Sequence, residues 1–246
     1  MNRDDFNASI RAIHSFFENQ DFLESAVYLV SLPRSEDFNK VSLTSQDYNA
    51  VYEKGLSLSH YNFILKDLAY FQYSHSSEGE WALAYYPNPR VSGSSDAFTE
   101  FNELKNAVER EEIDDEAFSS MVSSLQIGNY IPRVRFEYSE SQYKPVRHPA
   151  AHFHIGMAGQ DRWASSRKLS PRSFGMLIAK HYYPDLWWKN SRFSLADEDQ
   201  ELPGKIETCF DEKLLNSIRG DGVSLAFAAF EQLTFHFGAL QPTLAQ

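Results

Sequence analysis

The chain has 246 residues, a formal net charge of −11 and a single cysteine, Cys209. One cysteine excludes an internal disulfide and any multi-cysteine zinc site, and the net acidity argues against general adhesion to nucleic acid or anionic lipid. The opening MNRDDFNASIR lacks an apolar leader, and no stretch nears the ~20 apolar residues of a membrane span, so a cytoplasmic protein with Cys209 as a small buried apolar residue is expected.

In chain order, Phe6, Ile10, Ile13 and Phe17 share one face of a helix, with His14 at its boundary. Residues 22–32 are apolar without a clear period, and Pro33 ends them. Thr44-Ser45-Gln46-Asp47 has capping-box spacing and predicts a helix through Lys54, stopped by Gly55. The period then changes. Residues 61–73 and 81–86 are aromatic and aliphatic, and the polar stretch 74–80 with Gly79 joins them as an antiparallel hairpin closed by Pro87 and Pro89. After a loop at 90–95, helices are predicted over 96–110 and 114–125.

Residues 130–138 (YIPRVRFEY) alternate strictly. Val134, Phe136 and Tyr138 point one way, and Arg133, Arg135 and Glu137 the other. Residues 151–156 form a second short strand ended by Gly156. Ser170-Pro171 opens a helix, with Ser as N-cap and Pro in the first turn. On it Phe174, Leu177, Ile178 and His181 share a face, and Pro184 stops the run. The aromatic run 182–188 can pack or stack nucleobases. An acidic loop at 196–204, a helix over 211–219, a turn at 220–222 and a strand or helix over 223–237 complete the chain.

These elements give an α+β fold, mainly an antiparallel sheet flanked by helices, in one domain spanning 1–246. Its parts are a helical N-terminal region (1–60), a central sheet with a basic histidine segment (61–192) and a C-terminal part (193–246). No Gly-rich phosphate loop, GxSxG, HExxH or EF-hand loop is present.

The informative segment is His148-Pro149-Ala150-Ala151-His152-Phe153-His154. It lies in a region, 133–192, with eleven Lys/Arg against four Asp/Glu, while the rest of the chain is strongly acidic. A confined anionic ligand, RNA or a nucleotide, suits such a local zone; charge neutralisation across an internal interface is the alternative.

Residues two apart on a strand share a face, so His152 and His154 lie side by side, with Phe153 and Ile155 toward the core. If strand 133–138 pairs with strand 151–156, Arg133, Arg135 and Glu137 come beside them. Three chemistries follow. The imidazoles can move protons while Arg135, Arg133, His148, Arg162, Arg167 and Lys168 hold phosphates and Glu137 orients or acts as base, a metal-free RNA cleavage. They can instead share a divalent metal with His148, Glu137 or Asp161 as third ligand. Or they are a cross-strand fastening pair, and the chain is a non-enzymatic subunit docked to a protein partner.

The order HPAAHFHIG, Arg162, Lys168-Leu169-Ser170-Pro171, Phe174 and Tyr182-Tyr183-Pro184, preceded by RVRFEY, resembles a bacterial family, the domain of unknown function 2290. The resemblance runs over about residues 130–185. It implies a bacterial protein in which the histidine–arginine segment acts as one unit, and it carries no activity. The leading expectation from the residues is a nuclease-like enzyme acting on RNA, as in a toxin or antiviral effector, needing no cofactor. A metal-dependent hydrolase and a complex subunit are its rivals.

Overall fold

The computed structural model describes residues 1–92, 95–125, 131–157, 159, 161–189 and 210–224. It opens with α1 (Arg3–Asn19), whose N-cap Asn2 accepts a hydrogen bond from the amide of Asp5. As the spacing requires, Phe6, Ile10, Ile13 and Phe17 are buried; His14 is drawn in with them. After β1 (Leu23–Ala26) come α2 (Glu36–Thr44, capped by Ser35) and α3 (Tyr48–Ser57, capped by Asp47).

Here the sequence reading needs two corrections. Thr44 closes a helix instead of opening one, and α3 runs straight through Gly55. A Cβ on Gly55 would lie 2.1 Å from the Tyr70 hydroxyl oxygen, so this glycine permits a close helix–sheet approach and does not terminate the helix.

The first limb of the expected hairpin is two strands, β2 (Phe63–Leu65) and β3 (Tyr70–Ser77), and the second is β4 (Glu80–Tyr86). A tight turn separates β2 from β3: Leu68 adopts φ 63°, and the Asp67 carboxylate accepts the amide of Ala69 at 3.0 Å. The β3–β4 turn is shorter than the polar stretch suggests, because pairing extends out to Ser77 and Glu80. Helices α4 (Ser95–Glu109) and α5 (Asp115–Ser124) lead to β5 (Val134–Ser139), β6 (Ala151–Ile155) and β7 (Trp163–Ala164).

Strands β1 to β7 form one antiparallel sheet in sequential order. The short β8 (Arg167–Lys168) precedes α6 (Pro171–Tyr182) and α7 (Pro184–Lys189). Last come α8 (Phe210–Gly220) and β9 (Gly222–Val223), which pairs with β8. The fold is α+β. Among the described residues no helix is long and apolar enough to cross a membrane.

Strand alternation gives the sheet two unlike faces. One presents Phe63, Phe71, Tyr73, Leu83, Tyr85 and Phe136 to α1 and α6 and forms the main core. Helix α6 comes so close to α1 that a Cβ on Gly175 would lie 2.3 Å from Ile13 Cγ1. His181 is exposed and does not complete the α6 stripe, whose buried residues are Pro171, Ser173–Met176, Ile178 and Ala179. Tyr183 and Trp187 are core residues and half-buried Tyr182 stacks on Tyr85, so packing occupies that aromatic run. The other face is partly covered: Phe38, Tyr48, Val51 and Tyr52 of α2 and α3 pack on Ile64, Tyr70, Ala84 and Tyr86. The rest of that face is polar. The expected loop at 196–204, most of 223–237, Cys209 and His236 lie outside the described residues.

Candidate metal centre and cleft

The conditional pairing in the sequence reading is the one observed. In β5 and β6, Arg135 lies opposite His154 and Glu137 opposite His152. The register continues across β4 and β3, giving two rows over the polar face: Gln72, Ala84, Arg135, His154 and Ser74, Ala82, Glu137, His152. The alanines leave space above them. That space is a cleft of about 630 Å³, floored by Gln72, Ser74, Ala82 and Ala84 and walled by Phe38 and Ser42 of α2; Arg135 and Glu137 line it too.

Burial reverses one expectation. Phe153 faces the core side and meets the ring of Phe136 edge-on at 5.2 Å, yet Ile155 on that same face is 42% exposed. The histidines are the buried residues, His152 fully and His154 to 3% exposure. The physical reason is placement: α1 and α6 sit over β3 and β4, toward the middle of the sheet.

Each ring is oriented by what it touches. The Nδ1 of His152 lies 2.9 Å from the Pro149 carbonyl oxygen. A carbonyl only accepts, so Nδ1 carries the proton and the lone pair of neutral His152 is on Nε2. Burial, reinforced by neighbouring His154, pulls the His152 pKa down to about 4, so the ring is neutral near pH 7. Its Nε2 lies 3.0 Å from Nε2 of His154, whose own Nδ1 is buried without a partner. Burial opposes ionisation of Glu137, but His154 and the charge of Arg135 outweigh it and hold the carboxyl at about 2. Arg135 Nη2 stands 3.2 Å from Glu137 Oε1. The Glu137 side chain is 33% exposed, on the cleft side.

Glu137 Oε2 lies 3.9 Å from His152 Nε2 and 3.8 Å from His154 Nε2. Three potential ligand atoms therefore form a triangle with sides of 3.0, 3.8 and 3.9 Å. The point in its plane equidistant from the corners lies about 2.1 Å from each, close to a Zn–N or Zn–O bond length, and a tetrahedral ion sitting out of that plane would need Glu137 to draw in slightly. The donation from His152 Nδ1 to a backbone carbonyl is the outer contact that orients metal-binding imidazoles.

The remaining predicted residues divide. His148 lies beside the centre, its ring edge-on to His152 at 4.9 Å, but does not join the triangle. Burial lowers its pKa, and the charge of nearby Arg162 adds to the effect. Arg133 is buried on the Arg135 face and donates through Nη1 to Ser42 Oγ at 3.1 Å. Arg167 turns away, Nη1 reaching the Asp221 carbonyl at 3.4 Å. Lys168 reaches Glu140 and lies over the Tyr138 ring, on the opposite face from the histidines. Asp161 is exposed and outside the triangle. The sequence reading missed the cleft, Ser42 and half-buried His60. Its signal was the small or polar residue at every second position of β3 and β4: Gln72 and Ser74, Ala82 and Ala84.

With that geometry in hand, the model of a family described as Uncharacterized conserved protein (DUF2290) matches residues 16–238, and the chain belongs to this family. The match extends far beyond the segment that first carried the resemblance. No curated protein and no solved structure matches the chain.

Proposed function

We propose that Glu137, His152 and His154 hold a divalent transition-metal ion, and that the protein is a metal-dependent hydrolase whose substrate lies in the cleft. The triangle with its common bonding distance of about 2.1 Å carries this reading. Two imidazoles and one carboxylate suit Zn²⁺ or Fe²⁺, and three protein ligands leave coordination positions open, which marks catalytic and not structural sites. When bound, such an ion activates a water near neutral pH and polarises the bond to be broken.

The chain's own groups would do the rest. Ionised Glu137 and neutral His152 need no deprotonation before ligation at pH 7. The Pro149 carbonyl fixes the ring of His152. Arg135, at the cleft wall, is placed to offset negative charge that develops on the substrate. A phosphodiester such as RNA is the substrate class this cation favours.

The same distances weigh against a metal-free acid/base pair. Nitrogens 3.0 Å apart leave no room for a scissile phosphate between them.

Elemental analysis of protein purified from metal-supplemented medium should find about one zinc or iron per chain, as three-ligand sites hold one ion. H152A and H154A should lose the metal and the cleavage of RNA or an activated phosphodiester. Metal at wild-type levels in both variants, or RNA cleavage that survives complete chelation, would refute the assignment.

A further inference from the structure

We propose that Arg133 and Ser42 form a phosphate-binding subsite next to the metal centre, one that grips a phosphate group of the substrate away from the bond being cleaved. Arg133 is 3% exposed. Among the described residues its guanidinium makes one hydrogen bond, to Ser42 Oγ, its Nε has no partner, and no carboxylate pairs with it. Its guanidinium carbon also lies over the Tyr86 ring, 5.8 Å from the ring centroid, and the Tyr70 hydroxyl feels its charge. A buried cation without a counter-ion is costly, and proteins pair such groups or use them to hold anions.

The surroundings point to an oxyanion. Ser42 and Tyr86 both line the cleft, while Arg133 lies behind them and not on its wall, so a phosphate would reach the guanidinium past these two side chains. The Ser42 hydroxyl accepts from Arg133, which leaves its own proton to donate. The guanidinium offers donors in one plane and Ser42 offers one from α2. Donors in two directions suit a tetrahedral phosphate better than a flat carboxylate.

Arg133 immediately precedes β5 and by the same alternation shares a face with Arg135 two residues on and Glu137 two further. The subsite and the metal ligand are thus separated by four strand positions, about 13 Å along the chain. A molecule bridging them would carry a phosphate at one end and its reacting bond at the other. As a substrate subsite this rests on the hydrolase reading; as an oxyanion site it does not.

The test uses the full chain stripped of metal by chelation, titrated calorimetrically with inorganic phosphate, then with acetate. Wild type should bind phosphate and melt at a higher temperature in its presence. R133M should weaken phosphate binding at least tenfold, and R133K by a smaller factor, since lysine keeps the charge but not the fork. K168M, whose side chain lies on the opposite face against Glu140 and the Tyr138 ring, should bind phosphate within twofold of wild type. No phosphate binding by metal-free wild type, equal binding by R133M, or acetate binding as tight as phosphate would each overturn the proposal. If R133M does not fold, R133K and S42A decide it: unchanged affinity in both overturns it, and weakening in both supports it. Phosphate binding in a protein that takes up no metal would keep the subsite and remove the hydrolase.

Discussion

The two faces of the central sheet come from the same strands and do opposite work. In β3 and β4, Phe71, Tyr73, Leu83 and Tyr85 point to α1 and α6 and are fully buried. Their immediate neighbours, Gln72, Ser74, Ala82 and Ala84, point the other way and floor a cleft. In β5 the division sharpens: Val134, Phe136 and Tyr138 build the core, and Arg135 and Glu137, with Arg133 just before the strand, bring charge to the opposite side. A rigid aromatic layer on one face holds the backbone, and that backbone sets the register that puts Glu137 beside His152 and His154. Rigid support of this kind is what the proposed ligand set needs.

The largest expected effect belongs to the core face. Phe136 is fully buried, in the same strand as Glu137 and in contact with Phe153 of the histidine strand. F136A should cost about 3–5 kcal/mol in chemical denaturation, as large aromatic truncations in cores do. The fraction that remains folded should still bind metal, because the ligands stand on the other face. A loss under about 1 kcal/mol, or a folded variant with no metal affinity, would show that the two faces are not separable in the way the alternation implies.

The next effect belongs to the polar face and depends on pH. His152 has a folded pKa of about 4 against an ordinary value of 6.5. The unfolded chain therefore binds more protons between those values, so the contribution is whole above pH 6.5 and is lost as pH falls toward 4. The shift corresponds to about 3 kcal/mol. Glu137, held at about 2 against 4.5, acts in the same direction at lower pH: its contribution is present above 4.5 and lost on acidification toward 2. Urea unfolding of metal-free protein should show wild type losing stability from pH 6.5 to 4 and H152Q changing much less over that window. Parallel curves for the two proteins would mean that His152 is not held neutral by the fold.

Much of this division was legible in the sequence. Strict alternation in RVRFEY put Arg135 and Glu137 on one side, and His-x-His put both imidazoles together. The basic segment singled them out as a unit. What could not be read was burial. Period-two alternation tells which residues share a face, and says nothing of what covers it. Hence alternation groups Ile155 with the core-facing Phe153, yet Ile155 is exposed, while His152 and His154 are the buried pair. Proximity in sequence also misled at Arg167 and Lys168. They follow the histidine strand closely, yet β8 pairs with β9 and carries them to Asp221 and Glu140. The cleft wall escaped for the opposite reason: Ser42 is ninety-one positions from Arg133, and no local pattern joins them.

The smallest expected change in stability gives the cleanest separation of the faces. Ala82 is half-buried in β4, between Ser74 of β3 and Glu137 of β5, and floors the cleft. A82L would place a larger apolar side chain in open space and not against packed neighbours, so stability should stay within about 0.5 kcal/mol. Metal content should also stay at the wild-type level, because A82L replaces none of the proposed ligands. Turnover should fall at least about 10-fold, because even one misfitting methylene in a pocket is worth about 1–3 kcal/mol and leucine adds three carbons. The adjacent Leu83, fully buried on the other face, supplies the contrast: L83A should cost about 2–5 kcal/mol while leaving the cleft open. If A82L turns over substrate at the wild-type rate, the cleft is not where the substrate lies, and the proposed metal centre would have to be reached from another side of Glu137.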